Sequence, residues 1–156
     1  MAATDQPIVY AQGLVTMELL KKIGINAELQ SMDWGTLITR RASHAPIDKG
    51  GWNIFFTWSA APDLLNPAVH SQLRGNGAKG WFGWPTDAKI EALRDQWFEA
   101  PDLAAQKKFA EEIQAEAFKS VPHIQTGQFV IPTAYRKSLK GVIVAPVLFM
   151  WNVDKS

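Results

Sequence analysis

The segment "ELLKKIGINAELQSMDWGTLITRR" (residues 18–41) decides the class of fold. It begins inside an apolar stripe of helical period that covers residues 7–23 and ends at a glycine, a common helix terminator. Residues 25–32 then alternate apolar and polar side chains, which is typical of a half-buried strand. Asp33 follows as the N-cap of a second helix over residues 34–42. Helix, strand, helix is the order of an α/β domain.

The next segment, "GGWNIFFTWSAAPDLLNP" (residues 50–67), predicts a central strand that ends in a possible binding site. Residues 52–58 are nearly all apolar, as in a strand covered on both faces. Asp63 follows that strand, where α/β sheets place their ligand crevices. Beside Trp58, its carboxylate can anchor an ammonium group, with cation–π attraction from the indole. The alternative is a turn aspartate that bonds to its own backbone.

The remaining elements continue the α/β pattern. Thr86 or Asp87 caps a third helix and Asp102 caps a fourth, while residues 122–134 have the composition of a strand. A strand should also precede the first helix, where Asp5 is the expected N-cap. Because few residues stand before that helix, the sequence predicts a mixed sheet with flanking helices from which the first strand is missing.

Composition excludes several classes of function. The 156 residues fit one domain, and a net charge of +1 without a concentrated basic face argues against nucleic acid as a partner. Cysteine is absent, and no serine lies in a Gly-x-Ser-x-Gly turn, so a hydrolase or transferase would lack a nucleophile set. His44, His70 and His123 are far apart without metal-ligand spacing. The sequence therefore predicts no enzyme, no catalytic residue, no metal and no cofactor.

The seven tryptophans are clustered rather than scattered. Trp52 and Trp58 flank the predicted strand, and Trp81 and Trp84 lie in one loop. Either these side chains fill the core and its rim, or they form an aromatic wall for a ligand. The candidate ligand-binding residues are thus Trp58 and Asp63, followed by Trp81 and Trp84.

Five segments carry a resemblance that covers essentially the whole chain in order. They are "ELLKKIGINAELQSMDWGTLITRR", "KGGWNIFFTWSAAPD", "GWFGWPTDAKIEALRDQW", "PDLAAQKKFAEEIQAEAFKSVPHI" and "IPTAYRKSLKGV". Together they resemble the extracellular solute-binding proteins of peptide-type ABC transporters, the family of dipeptide- and oligopeptide-binding proteins. Members of that family are about three times longer, carry a secretion signal and fold into two α/β lobes that close over a ligand.

The resemblance implies the C-terminal portion of a type II periplasmic-binding-protein-like fold. Residues 1–145 would form the second lobe, and residues 146–156 would return toward the first lobe, which is missing here. The full-length parent would be periplasmic, although this chain shows no signal peptide. It would bind a peptide or another small solute between its lobes and deliver it to an ABC permease of the inner membrane.

The resemblance also implies a role for the segment after the predicted central strand. In the family, a tryptophan that matches Trp58 is followed three residues later by an aspartate that holds the α-ammonium group of the peptide. This chain has Ala61 at that position, and Asp63 would substitute from a longer loop. Because the carboxylate is displaced, sugars, opines and other cations remain candidate ligands as well as peptides. The alternative function is a self-associating or protein-interaction domain without solute binding.

Overall fold

The structure, a computed structural model, describes residues 1–155 and combines four α-helices with small two-stranded sheets in that part of the chain. It is therefore α/β-like, in agreement with the predicted class. The chain divides into two compact units, Met1–Trp58 and Ser59–Ser156.

The first unit is built on a short parallel sheet. Strand β1 (Ala2–Ala3) pairs with β2 (Ser31–Met32), and the helices α1 (Pro7–Lys22) and α2 (Trp34–Arg40) follow the two strands in turn. The expectation that no strand precedes α1 is wrong. Strand β2 is also shorter than the alternation over residues 25–32 predicts, because β1 offers only two residues for pairing.

A glycine lets α1 approach this sheet closely. A Cβ atom at Gly13 would lie 2.8 Å from the Cβ of Ala2 and 3.2 Å from Cδ1 of Leu29, so a larger residue would push the helix away. Val9 of α1 and Leu37 of α2 are almost completely buried. The apolar core of the unit also contains Met1 and Ala3, with partly buried aromatic side chains around them.

Of the two aspartates predicted to cap the helices of this unit, one caps its helix and the other bonds elsewhere. Asp33 caps α2 as predicted, and its carboxylate accepts a hydrogen bond from the Thr36 N–H at 2.9 Å. The prediction that Asp5 caps α1 is wrong, because Gln6 occupies the N-cap position. The Asp5 carboxylate instead accepts from the backbone N–H of Trp34 at 2.8 Å, which links the start of α1 to the start of α2.

Residues 52–58 do not form the predicted central strand. The backbone of this segment bonds to Met1 at two points: the Phe56 N–H donates to the Met1 carbonyl, and the Met1 ammonium donates to the Ile54 carbonyl. A strand requires a continuous partner, which one residue does not provide. The segment is also only partly buried, with Ile54 and Trp58 exposed.

The second unit is built around an antiparallel helix pair. Asp87 caps α3 (Ala88–Glu99) and Asp102 caps α4 (Leu103–Ser120), as the sequence predicts. The two helices pack against each other and bury Ile90 and Ile113.

The chain after α4 is mostly irregular. None of the residues 122–134 lies in a strand, so the prediction of a strand there is wrong. Strand β3 (Leu139–Lys140) pairs antiparallel with β4 (Asp154–Lys155) instead. None of the helices within residues 1–155 has both the length and the apolar character needed to cross a membrane.

Candidate functional site

The loop of residues 75–87 is closed at its base immediately before α3. Asn76 and Thr86 form an isolated antiparallel bridge, and the Asp87 N–H donates to the Gly75 carbonyl at 2.9 Å. Gly75 is buried against this base, where a Cβ atom would lie only 2.5 Å from the carbonyl oxygen of Asp87. Only glycine therefore fits, and the close approach fixes the loop to the first turn of α3.

Two of the predicted site residues lie within this loop. The Trp84 N–H donates to the Trp81 carbonyl at 2.8 Å, in a turn that gives Trp84 a positive φ of 50°. The rings of Trp81 and Phe82 meet edge to face with centroids 5.1 Å apart. The half-buried indole of Trp81 is thereby held in a defined place.

The residue before the loop is tied to α3 by a charged pair. The Arg74 guanidinium donates from Nε to Oε1 of Glu91 at 3.0 Å and from Nη2 to Oε2 at 2.7 Å. The Gly75 N–H also donates to Oε1 at 2.8 Å. These contacts, led by that from Arg74, lower the pKa of Glu91, and the Glu91 hydrogen bond raises the pKa of Arg74. Both side chains remain charged, and the bidentate geometry fixes the orientation of Arg74.

A second arginine lies on the buried face of α3. Arg94 is 5% exposed, and its Nη1 donates to the carbonyl oxygen of Pro67. Its Nε lies 3.9 Å from Oε1 of Glu91, so one carboxylate serves both arginines. Burial lowers the pKa of Arg94, and the positive charge of Arg74 lowers it further. A guanidinium nevertheless keeps its proton, which leaves a fixed positive charge in a poorly solvated place.

These side chains line a cavity of about 320 Å³, near the lower limit of small-molecule sites. Its basic lining residues are Arg74, Lys79 and Arg94, and none of the lining residues is acidic. Trp81 supplies an aromatic surface and Ser71 a hydroxyl group. Within residues 1–155, Lys79 has no carboxylate within ion-pair distance. The cavity can therefore accept an anionic group beside an apolar one.

Two histidines that are far apart in sequence meet in the same unit. The rings of His70 and His123 have centroids 5.6 Å apart, and both Nδ1 atoms are buried without a hydrogen-bond partner in the described part of the chain. Burial is the main cause that lowers both pKa values, and the charges of His123 and Arg94 lower that of His70 further. Within residues 1–155, no cluster of three or more potential metal ligands includes them.

The structure places the predicted site residues in different surroundings. Trp58 ends the first unit with 43% of its surface exposed. Asp63 lies in a 3₁₀ turn, Ala61–Leu64, of the second unit, where its side chain is exposed and accepts no hydrogen bond from any described residue. The alternative of a turn aspartate bonded to its own backbone is therefore wrong. Trp81 lines the cavity, whereas Asp63 and Trp84 do not.

The basic residues of the cavity were missed in the sequence. Arg74 and Lys79 belong to "RGNGAKG" (residues 74–80), which has the composition of an ordinary surface loop. Arg94 carried a usable signal, since it shares the helical stripe of Ile90, Leu93 and Trp97. A charged residue on an apolar face is seldom buried without a partner, so its position indicates a possible site.

Comparison with known proteins gives a relative from a transport system. No protein-family model matches the chain. All 156 residues align at 38% identity with a probable peptide ABC transporter periplasmic-binding protein of Sinorhizobium fredii. The chain spans 29% of the length of that relative. This similarity confirms the resemblance to peptide-type solute-binding proteins, and the relative is a binding protein rather than an enzyme.

Proposed function

We propose that this chain forms part of the solute-binding component of an ABC import system, which binds a peptide or a related small solute and delivers it to a membrane permease. The observation that carries the proposal is the 38% identity over all 156 residues to a periplasmic-binding protein. The full-length parent would act in the periplasm without catalysing a reaction. Residues 1–145 would form most of one lobe, with residues 146–156 returning toward the other.

The proposed ligand-facing residues are Trp58 and Asp63, followed by Trp81 and Trp84. The free carboxylate of Asp63 supports a role as an anchor for an ammonium group, because an exposed acid without an internal partner is available to a ligand. Lobe closure would bring the solute between two surfaces and expel water from its charged groups.

An NMR titration tests this proposal on the whole chain. The seven tryptophans supply indole N–H signals that can be followed while a mixed pool of di- and tripeptides is added. We expect saturable shifts that include the Trp58 indole and that disappear in Asp63→Ala. Asp48→Ala, which removes an exposed carboxylate from another 3₁₀ turn, is the matched control. A spectrum that the peptide pool leaves unchanged would contradict peptide binding by this chain.

A further inference from the structure

The positive charges that line the cavity of the second unit are not fully neutralised by the nearby carboxylates. Arg74, Lys79 and Arg94 line it, and Glu91 is the carboxylate that contacts the two arginines directly. The exposed Asp95 acts on both arginines from a greater distance. Because Lys79 has no ion pair within residues 1–155, the lining keeps an excess of positive charge.

We propose that this cavity binds the carboxylate group of a small organic solute. The Lys79 ammonium donates to the carboxylate oxygens, Arg94 contributes a fixed positive charge, and the Trp81 indole covers the apolar part of the solute. The inference rests on the proposed function and deepens it, because it names the chemical group that the second unit recognises. It assigns the acidic end of the solute to this cavity and leaves Asp63 for an ammonium group.

Preorganisation of the site supports this assignment. Arg74 is held by two hydrogen bonds to Glu91, Arg94 is buried and bonded to the Pro67 carbonyl, and the Trp81 loop is fixed at its base. Binding therefore needs to order only the exposed Lys79 side chain. A site that is already ordered loses little conformational entropy when the ligand arrives.

The size and lining of the cavity favour an organic acid over an inorganic anion. A volume of about 320 Å³ is larger than a phosphate or acetate ion needs, and a phosphate has no apolar group to place against Trp81. A solute with a short apolar group beside its carboxylate uses both kinds of lining. N-acetyl-L-alanine has this form, and N-acetyl-L-alaninamide is its uncharged match in shape.

The experiment is a titration of the whole chain with these two compounds, followed at the indole N–H signal of Trp81. The signal is assigned by its absence in Trp81→Phe. We expect saturable shifts with N-acetyl-L-alanine and at least tenfold weaker binding of the amide. Removal of one charge-assisted hydrogen bond in Lys79→Gln should raise the Kd of the acid by about five- to tenfold. Lys107→Gln, an exposed lysine on α4, should leave the Kd unchanged.

Three results would overturn the inference. They are equal binding of the acid and the amide, an unchanged Kd in Lys79→Gln, and shifts that inorganic phosphate or acetate reproduces at the same concentration. Lys79 is exposed and makes no internal ion pair among the described residues, so its replacement should leave the fold intact.

The peptide titration separates this inference from the proposed function. Peptide shifts that depend on Asp63, together with no preference for the acid, would contradict the carboxylate site and leave the peptide-binding function standing. Binding of N-acetyl-L-alanine that depends on Lys79, with no response to peptides, would support the carboxylate site and contradict the peptide assignment. If neither titration produces saturable shifts, both the peptide-binding function and the carboxylate site are contradicted for this chain.

Discussion

Glu91 is the residue that holds the cavity wall to α3. Its carboxylate accepts from Arg74 and from the N–H of the buried Gly75, so its removal leaves a backbone donor and a guanidinium without their acceptor. We expect Glu91→Ala to lower the free energy of unfolding by about 2 kcal/mol, which urea denaturation measures. Glu91→Gln should cost about half as much, because its amide oxygen can still accept one hydrogen bond.

Glu111→Ala serves as the control for this prediction, since Glu111 is exposed on α4. The pH dependence gives a second test. The pKa of Glu91 lies below its ordinary value of 4.5 in the folded chain, so its contribution is fully present above pH 4.5 and is lost as the pH falls through the lower folded value. Equal losses in Glu91→Ala and Glu111→Ala would show that the contacts of Glu91 add nothing to stability.

At the residue scale, the sequence indicates an aromatic residue of the cavity and none of its basic residues. Clustered tryptophans predict a binding wall that includes Trp81; Trp81 lines the cavity, and its role in ligand binding stays a prediction. Arg74 and Lys79 lie in a polar loop whose composition has no distinctive feature. Their relevance depends on Glu91, seventeen positions from Arg74 along the chain, and on the fixed base of the loop. Contacts of that range are set by packing and leave no local pattern.

At the scale of elements, Asp102 determines where α4 begins. Its carboxylate accepts from the Ala105 N–H at 2.8 Å and satisfies one of the free donors of the first turn. We expect Asp102→Ala to lower the free energy of unfolding by about 1 kcal/mol, measured by urea denaturation. Asp102→Asn retains an oxygen acceptor and should lose far less. A loss in the asparagine variant as large as in the alanine variant would point to charge rather than capping.

The packing of α4 on α3 gives a second prediction for this pair of helices. Ile113 is 1% exposed, whereas Phe118 on the same helix is 84% exposed. Ile113→Ala should therefore lower the free energy of unfolding by about 3 kcal/mol, through lost burial and a cavity. Phe118→Ala should change it by less than about 0.5 kcal/mol. Urea denaturation of both variants checks the assignment, and a larger loss in Phe118→Ala would contradict the observed packing face.

Helices were predicted well from the sequence because their determinants are local. The caps Asp33, Asp87 and Asp102 and the apolar period of each helix lie within a few residues of one another. Strands need partners from elsewhere in the chain, and residues 52–58 show the consequence. Their composition predicts a central strand, but they form none, and the backbone hydrogen bonds of Ile54 and Phe56 go to a single residue, Met1. Composition indicates burial and leaves the pairing undecided.

At the scale of the whole second unit, the contact of His70 with His123 joins the chain before α3 to the chain after α4. The sequence showed no relation between these histidines, and their separation argued only against a metal site. Burial places both imidazoles where the neutral form is favoured. The side chain of Arg94 and the backbone of Gln72 are the further groups that act on them, and Arg94 opposes a second positive charge.

This contact predicts that the second unit loses stability in mild acid. Both histidine pKa values lie below the ordinary value of 6.5, so the unfolded chain binds protons more readily than the folded chain. Their contribution is present above pH 6.5 and is lost as the pH falls through the lower folded values. Thermal unfolding at pH 7.5 and pH 5.0 should show a clear fall in Tm for the unmodified chain and a smaller fall in His70→Gln.

His44→Gln is the matched control, because His44 is exposed and lies outside the second unit. Its Tm should fall between the two pH values as much as that of the unmodified chain. If His70→Gln also shows the full fall, burial of the histidine pair does not drive the loss. Glu91 would not account for it either, because its contribution is fully present above pH 4.5.

The pH of the carboxylate titration also matters, because Arg94 lines the cavity and its charge also acts on His70. At pH 7.5 both histidines are neutral. A carboxylate titration at that pH therefore reports the effect of Lys79 and the two arginines, with no contribution from histidine charge.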